Sequence, residues 1–112
     1  MKRRKVLWAR SARRDLEAIV GYLAERSPLA AASTLDRLEA RARSLATLAD
    51  RGRVVPELGR LHVQQYRELV VTPHRVIYRV LDSRVLVLAV IDARRSLEDA
   101  LLDRLIRIEG TE

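Results

Sequence analysis

Arginine interleaves with β-branched and aromatic residues through two adjoining runs, Tyr66-Arg-Glu-Leu-Val-Val71 and His74-Arg-Val-Ile-Tyr-Arg-Val-Leu81. A solvated strand face seldom carries that much arginine, and a buried face does not tolerate it unpaired. Guanidinium groups gathered on one face suit an anionic or acidic partner. Pro73 between the runs cannot take the positive φ of a two-residue primed turn, so the sequence predicts a four-residue loop from Val71 to His74. That register sets Val70 opposite Arg75, Glu68 opposite Ile77 and Tyr66 opposite Arg79. Side chains alternate along a strand. One face then carries Tyr66, Glu68, Arg75, Ile77 and Arg79, a surface made to meet something. The other carries Leu69, Val71, Val76, Tyr78 and Val80, a core face with Arg67 at its margin.

The elements that must position these residues are legible in the rest of the chain. Arg4 to Ala9 reads as a first strand, with Val6 and Trp8 alternating with Leu7. Ser11 is placed to cap a helix reaching about Arg26, with Asp15 and Glu17 near the positive end of its dipole. Ala12, Leu16, Ile19, Val20 and Leu23 form its apolar stripe. Gly21 suggests close packing, and Tyr22 reads as a packing residue. Ser27-Pro28 ends that helix and caps the next, which runs to about Ala49 with a stripe at Leu35, Leu38, Ala42, Leu45 and Leu48. So short a connection predicts an antiparallel helical hairpin. Asp50 to Leu61 reads as loop, punctuated by Gly52, Pro56 and Gly59. Val85 to Ile91 is apolar at almost every position, as in an interior strand. Pairing Leu81 with Arg84 would set Leu86, Leu88, Val90 and Asp92 on the arginine face, with Asp92 near Arg75. Ser96 and Asp99 mark the start of a last helix striped by Leu97, Leu101, Leu105 and Ile108. That helix either folds back over the arginine face or leaves it for a partner. The order implies an α+β fold: an N-terminal strand and an antiparallel helical hairpin on a small antiparallel sheet, plus a C-terminal helix.

Composition narrows the function classes. At 112 residues the chain is read as one domain, able to bury roughly two thirds of its unfolded surface. It has no cysteine and two histidines, His62 and His74, which read as loop or edge side chains, so neither disulfides nor a metal or other cofactor site is expected. No run of about 18 apolar residues is present and the basic start lacks a signal-peptide core, so a cytoplasmic protein without membrane contact is expected. The net charge of +7 favours a polyanionic or acidic partner: nucleic acid, ribosome or an acidic protein segment. With one tryptophan, three tyrosines and no phenylalanine, a base-stacking platform is not expected.

Several segments in this order and spacing resemble the RelE/ParE family of bacterial toxins from type II toxin–antitoxin modules. They are Trp8-Ala-Arg-Ser-Ala-Arg-Arg-Asp-Leu16, Tyr22 with Ser27-Pro28, Gly52-Arg-Val-Val-Pro-Glu-Leu58, the two arginine-bearing runs, and Arg94-Arg95. The resemblance spans roughly Val6 to Leu97. It implies a toxin neutralised by a tightly bound cognate antitoxin, touching operator DNA only through that antitoxin. Two activities occur in the family: RelE-like members cut mRNA on the ribosome, and ParE-like members poison DNA gyrase without cutting RNA.

RNA cleavage needs a base for the 2′-OH, an acid for the leaving oxygen, and cations for the phosphorane. Arg75 matches the RelE-like strand arginine, and Arg95 the later one. The lysine positions are held by about Tyr66 and Glu68, and the tyrosine position falls near Leu101. Glu57 matches a loop glutamate used by one relative of that class, but Ala93-Arg94 stands where its His-Tyr pair belongs. No lysine follows Lys5. The cation survives and the proton-transfer groups do not, which favours the gyrase-directed, non-enzymatic reading. On it, Arg67, Arg75, Arg79, Arg94 and Arg95 are the target-binding candidates. If the chain is a nuclease instead, Arg75, Arg95, Glu57, Tyr66 and Glu68 must carry the chemistry. A third reading is a non-toxic basic scaffold. Beside each sharp role stands a bland one: Arg75 paired with Asp92 or Glu68, Arg79 paired across strands with Tyr66, Glu57 as a loop carboxylate, Arg94-Arg95 as solvated loop cations.

Overall fold

The computed structural model describes residues 3–94 and 97–100. Strand β1 (Lys5–Trp8) leads into helices α1 (Arg10–Ala24) and α2 (Pro28–Arg43), and a 3₁₀ turn (Ser44–Ala46) extends α2. Then come β2 (Arg53–Val54), the one-turn helix α3 (Pro56–Gly59), β3 (Tyr66–Val71), β4 (His74–Val80) and β5 (Arg84–Asp92). Residues 97–100 are again helical. The five strands form one sheet in the order β1-β5-β4-β3-β2. All neighbours are antiparallel except β1, which runs parallel to β5. The hairpin packs across one face, and the fold class is the α+β arrangement expected.

Local chemistry explains most element boundaries. Ser27 caps α2 by accepting from the Ala30 N–H at 3.1 Å, and Pro28 takes the first helical position. Ser11 is not a cap. The α1 cap position is Ala9, and the Ser11 hydroxyl instead donates to the Leu88 carbonyl at 3.0 Å. The hydroxyl's partner is a distant carbonyl on β5 and not a backbone N–H of its own helix. The segment read as loop between Asp50 and Leu61 holds β2 and α3, elements too short to leave a periodic signature. The β3–β4 connection is two residues rather than four. Val71 still pairs with His74, and a cis Thr72–Pro73 peptide closes the turn. The expected register survives: Val70 faces Arg75, Glu68 faces Ile77 and Tyr66 faces Arg79.

Strand β5 departs from its expected register. Tyr78 pairs with Val87 but Ile77 pairs with Ala89, so Leu88 is an extra residue, a β-bulge. Beyond it every side chain changes face. Val90 joins the helix-side core, while Ala89 and Ile91 face the arginine side. Asp92 comes opposite His74, not beside Arg75, and the expected Arg75–Asp92 pair does not form. Helix α1 satisfies the backbone around the bulge: Ser11 takes the Leu88 carbonyl, and Asp15 accepts from the Val90 N–H at 3.0 Å.

Two apolar clusters result. The helix-side core gathers Ala12, Leu16, Leu38, Ala42 and Leu45 against Leu69, Val71, Val76, Tyr78, Val85, Val87 and Val90. Within it the Tyr78 hydroxyl donates to the Ala49 carbonyl at 2.8 Å and accepts from the Gly52 N–H at 3.0 Å. A Cβ on Gly52 would stand 2.6 Å from the Glu68 carbonyl, so only glycine fits there. The second cluster lies on the arginine side, where Leu97 and Ala100 pack with Val55, Ile77 and Ile91. The last helix therefore begins by folding over that face. Three smaller readings are corrected. A Cβ on Gly21 would meet nothing, so no close packing occurs there. Tyr22 is exposed, with the Arg26 guanidinium 4.1 Å above its ring. His74 is buried at the start of β4, and its Nδ1 has no hydrogen-bond partner.

Candidate functional site: a buried ion-pair chain on the sheet's second face

Alternation along β3 and β4 brings Glu68 and Arg75 to the same face, one diagonal step apart. The Arg75 Nε donates to Glu68 Oε1 at 2.6 Å. Its other two nitrogens, Nη1 and Nη2, donate to Glu57 Oε2 and Oε1, each at 2.8 Å. The second oxygen of Glu68 accepts from Arg53 Nε at 2.7 Å. Four charges thus alternate in a chain: Arg53, Glu68, Arg75, Glu57. The Glu68 side chain is 0 % exposed and that of Arg75 8 %, so each ion depends on its partners for the solvation it has lost.

Glu57 reaches Arg75 because α3 delivers it there. Val55 is fully buried and its N–H donates to the Tyr66 carbonyl at 3.0 Å, anchoring the chain beside β3. Pro56 then opens a single helical turn, and Glu57 follows at its positive end. The hydrogen bonds from Arg75 hold the Glu57 carboxyl at a pKa of about 2 against the opposing effect of burial. Arg75 is pushed above its ordinary range, chiefly by its hydrogen bonds to Glu57, and stays charged. Above this pair opens a shallow pocket of about 450 Å³, lined by Arg53, Arg60, Val70 and Ala93 as well as Pro56, Glu57 and Arg75.

The other candidates are dispersed. Tyr66 shares the face and is half-buried, with the Arg79 guanidinium 5.9 Å from its ring centroid in an exposed cross-strand pair. Arg67 turns to the opposite face, where Nη1 donates to the Gly52 carbonyl at 2.7 Å. Arg94 stands two residues beyond β5 and grips Asp92 with Nε and Nη2 at 3.0 and 2.7 Å, while its backbone N–H donates to the same carboxylate. Those bonds hold the Asp92 carboxyl well below its usual range. Arg95 lies outside the described residues, as do Leu101 and the rest of the C-terminal segment. The structure thus brings together Glu57, Glu68, Arg75 and Tyr66, and sets Arg67 and Arg94 apart. Sequence reasoning missed Arg53 and Arg60. Their flanking segment gives no periodic signal, and its fold against β3 is what recruits them.

Chemically, the arrangement neutralises itself. Both outer nitrogens of the central cation are engaged, and the carboxylate on them is too acidic to accept a proton near neutrality. It offers a self-paired ion cluster beneath a basic rim. No described helix is long and apolar enough to cross a membrane.

Comparison with known proteins agrees with this fold. A curated relative, Toxin RelE2 of Caulobacter vibrioides, is 41% identical over 92 residues, covering 81% of this chain and 97% of its own length. The solved chromosomal ParDE TA system from P. aeruginosa superposes with a TM-score of 0.64 at 23% identity, over 80% of this chain and 95% of that one, a likeness of fold. The family model for the ParE toxin of the type II toxin–antitoxin system parDE matches residues 6–97. With nearly the whole described chain inside that match, the protein belongs to the ParE toxin family of type II toxin–antitoxin systems.

Proposed function

We propose that this protein is a growth-inhibiting toxin that acts on DNA gyrase, binds it without cutting RNA, and is held inactive by a cognate antitoxin. Family membership implies an antitoxin partner. The observation that carries the rest is the bidentate Glu57–Arg75 pair. A general base works best when its pKa lies near the operating pH. Glu57 lies near 2, and its lone pairs are directed at a guanidinium. Glu68 is sealed between two arginines, and no lysine follows Lys5. An RNA-cutting site would need a proton acceptor and a cation free for the phosphorane, and this cluster offers neither in its resting form. Arg79 and Arg94, exposed on the surface, remain candidates for contact with the target.

The test is induced expression in a gyrase-dependent bacterium, scoring filamentation, the DNA-damage response and protein synthesis. Filamentation with continuing translation is expected. An immediate arrest of translation with cut mRNA would overturn the gyrase reading in favour of a ribosome-dependent nuclease. Unimpaired growth with folded protein would indicate a non-toxic scaffold.

A further inference from the structure

Four arginines take no part in the ion-pair chain and lie on the helix side of the sheet. Arg37, Arg41 and Ser44 recur at helical spacing, so they share one flank of α2 and the turn that extends it. That flank runs beside β3, because Arg37 Nη2 donates to the Thr72 carbonyl at 2.6 Å, just past the strand's end. At the far end of the flank Arg51 Nη1 donates to Ser44 Oγ at 3.0 Å, and Arg67 Nη1 donates to the Gly52 carbonyl at 2.7 Å. The Tyr78 hydroxyl, its pKa raised by burial, feels both Arg67 and Arg51. Each of these three heads is fixed by a neutral oxygen, which positions a guanidinium without cancelling its charge. Arg41, between Arg37 and Ser44 along the flank, is fixed by nothing. Its Nε–H is buried and has no hydrogen-bond partner. A buried donor without an acceptor is rare and calls for a reason. Among the described residues none of the four pairs with a carboxylate. The two acidic residues of α2, Asp36 and Glu39, fall on other sides of the helix, and Asp50, which the Tyr78 hydroxyl also feels, is outnumbered.

From this arrangement we infer that the flank of α2, with Arg51 and Arg67, is a seat for consecutive phosphates of double-stranded DNA, held without regard to base sequence. A guanidinium fork matches the paired oxygens of a phosphodiester. Arg37 and Arg41 stand one helical turn apart, a rise of about 6 Å, on a rigid element. A fixed, regular row of cations suits a fixed, regular row of anions, and each phosphate neutralised releases condensed counterions. A single strand is held by stacking its bases on aromatic rings. This flank carries none, and Tyr78 beneath it is fully buried. Contact is therefore with the backbone, which positions a duplex and carries no sequence information. The toxin would then touch DNA by itself, beyond any contact made through an antitoxin. The inference depends on the row of unpaired cations and not on which enzyme the toxin stops.

The experiment titrates the full chain into a fluorescently labelled DNA duplex of scrambled sequence and follows anisotropy at several salt concentrations. Parallel arms use one strand of the same duplex and a polyglutamate peptide of equal charge. The duplex should bind tightest, and the logarithm of its binding constant should fall against that of salt with a slope of about −3 to −4, roughly −0.9 for each phosphate. Replacing Arg37→Gln together with Arg51→Gln, both at exposed positions, should weaken binding at least fivefold and reduce the slope by about 2. Removing the same charge from α1, by Arg10→Gln with Arg13→Gln, also exposed, should change affinity less than twofold. In NMR spectra the buried Arg41 Nε–H signal should shift as duplex is added. Equal weakening by the two pairs, an unmoved Arg41 signal, or a single strand or polyglutamate binding as tightly as the duplex would each overturn the proposal. Neither gyrase nor ribosome is present, so these outcomes are read separately from the toxin's effect in cells.

Discussion

On one side of the sheet the helical hairpin lays Leu38, Leu45 and Ala42 against Val76, Tyr78 and Val87, and burial of apolar surface holds the layers together. On the other side a small apolar cluster is joined by a chain of four charges. Both faces bury side chains, but what fails when a residue is removed differs. Deleting a helix-side group leaves a hole. Deleting a link of the ion chain leaves a charge without its counterpart. The first penalty scales with lost volume and the second with lost solvation.

Substitutions on the two faces should separate these penalties in urea unfolding. Leu38→Ala, at a fully buried site, should cost about 3–4 kcal/mol, the largest single effect, and a second charge-neutralising change should not relieve it. Arg75→Met should cost about 3 kcal/mol because Glu68 is left buried with Arg53 alone, and adding Glu68→Leu should restore at least half of that loss. If the double variant is no more stable than the single one, the distinction between hole and orphaned charge collapses.

Acid sharpens the comparison. The Glu57 carboxyl is lowered from 4.5 to about 2 in the folded protein, so its contribution is fully present above about pH 4.5 and is lost as pH falls towards 2. Glu57→Gln should therefore cost about 1–2 kcal/mol near neutrality, and the gap from wild type should close across that window. A gap constant with pH would mean that the pair contributes through packing. On the helix side, burial lowers the pKa of His74 despite the attraction of Asp92. The unfolded chain then binds the proton more readily, so stability falls as pH drops through and below the ordinary histidine value of 6.5. His74→Gln should flatten that slope in pH-dependent melting. The smallest effect is expected at Arg79→Ala, about 0.5 kcal/mol or less, because its contact with Tyr66 is exposed.

Legibility in the sequence divides along the same line. Alternation in β3 and β4 was strong enough to set the register, the two faces and the nearness of Glu68 to Arg75. The cap at Ser27-Pro28 was legible because both of its parts are local. Val85 to Ile91 is apolar almost throughout, so it carries no phase, and nothing in it announces that Leu88 is an extra residue. Without that phase the sequence cannot set Asp92 opposite His74. The role of Ser11 is not legible locally, because its acceptor lies 77 residues away. Nothing in the local pattern marks Glu57, which only the family resemblance singles out. Its place on Arg75 depends on β2 and α3, which exist only because the sheet beside them does.

The grip of α1 on β5 has a consequence for assembly. Ser11 and Asp15 stand one helical turn apart and seize the carbonyl of the extra residue itself, Leu88, and the N–H of Val90 two residues on. A strand that docked one position out of step would offer them the wrong groups, and would exchange Val90 and Ile91 between layers. The hairpin therefore acts as a gauge for the last strand. It accepts only the alignment that also brings the start of the final helix down onto the arginine face, so an N-terminal segment inspects what the C-terminal part of the chain has built.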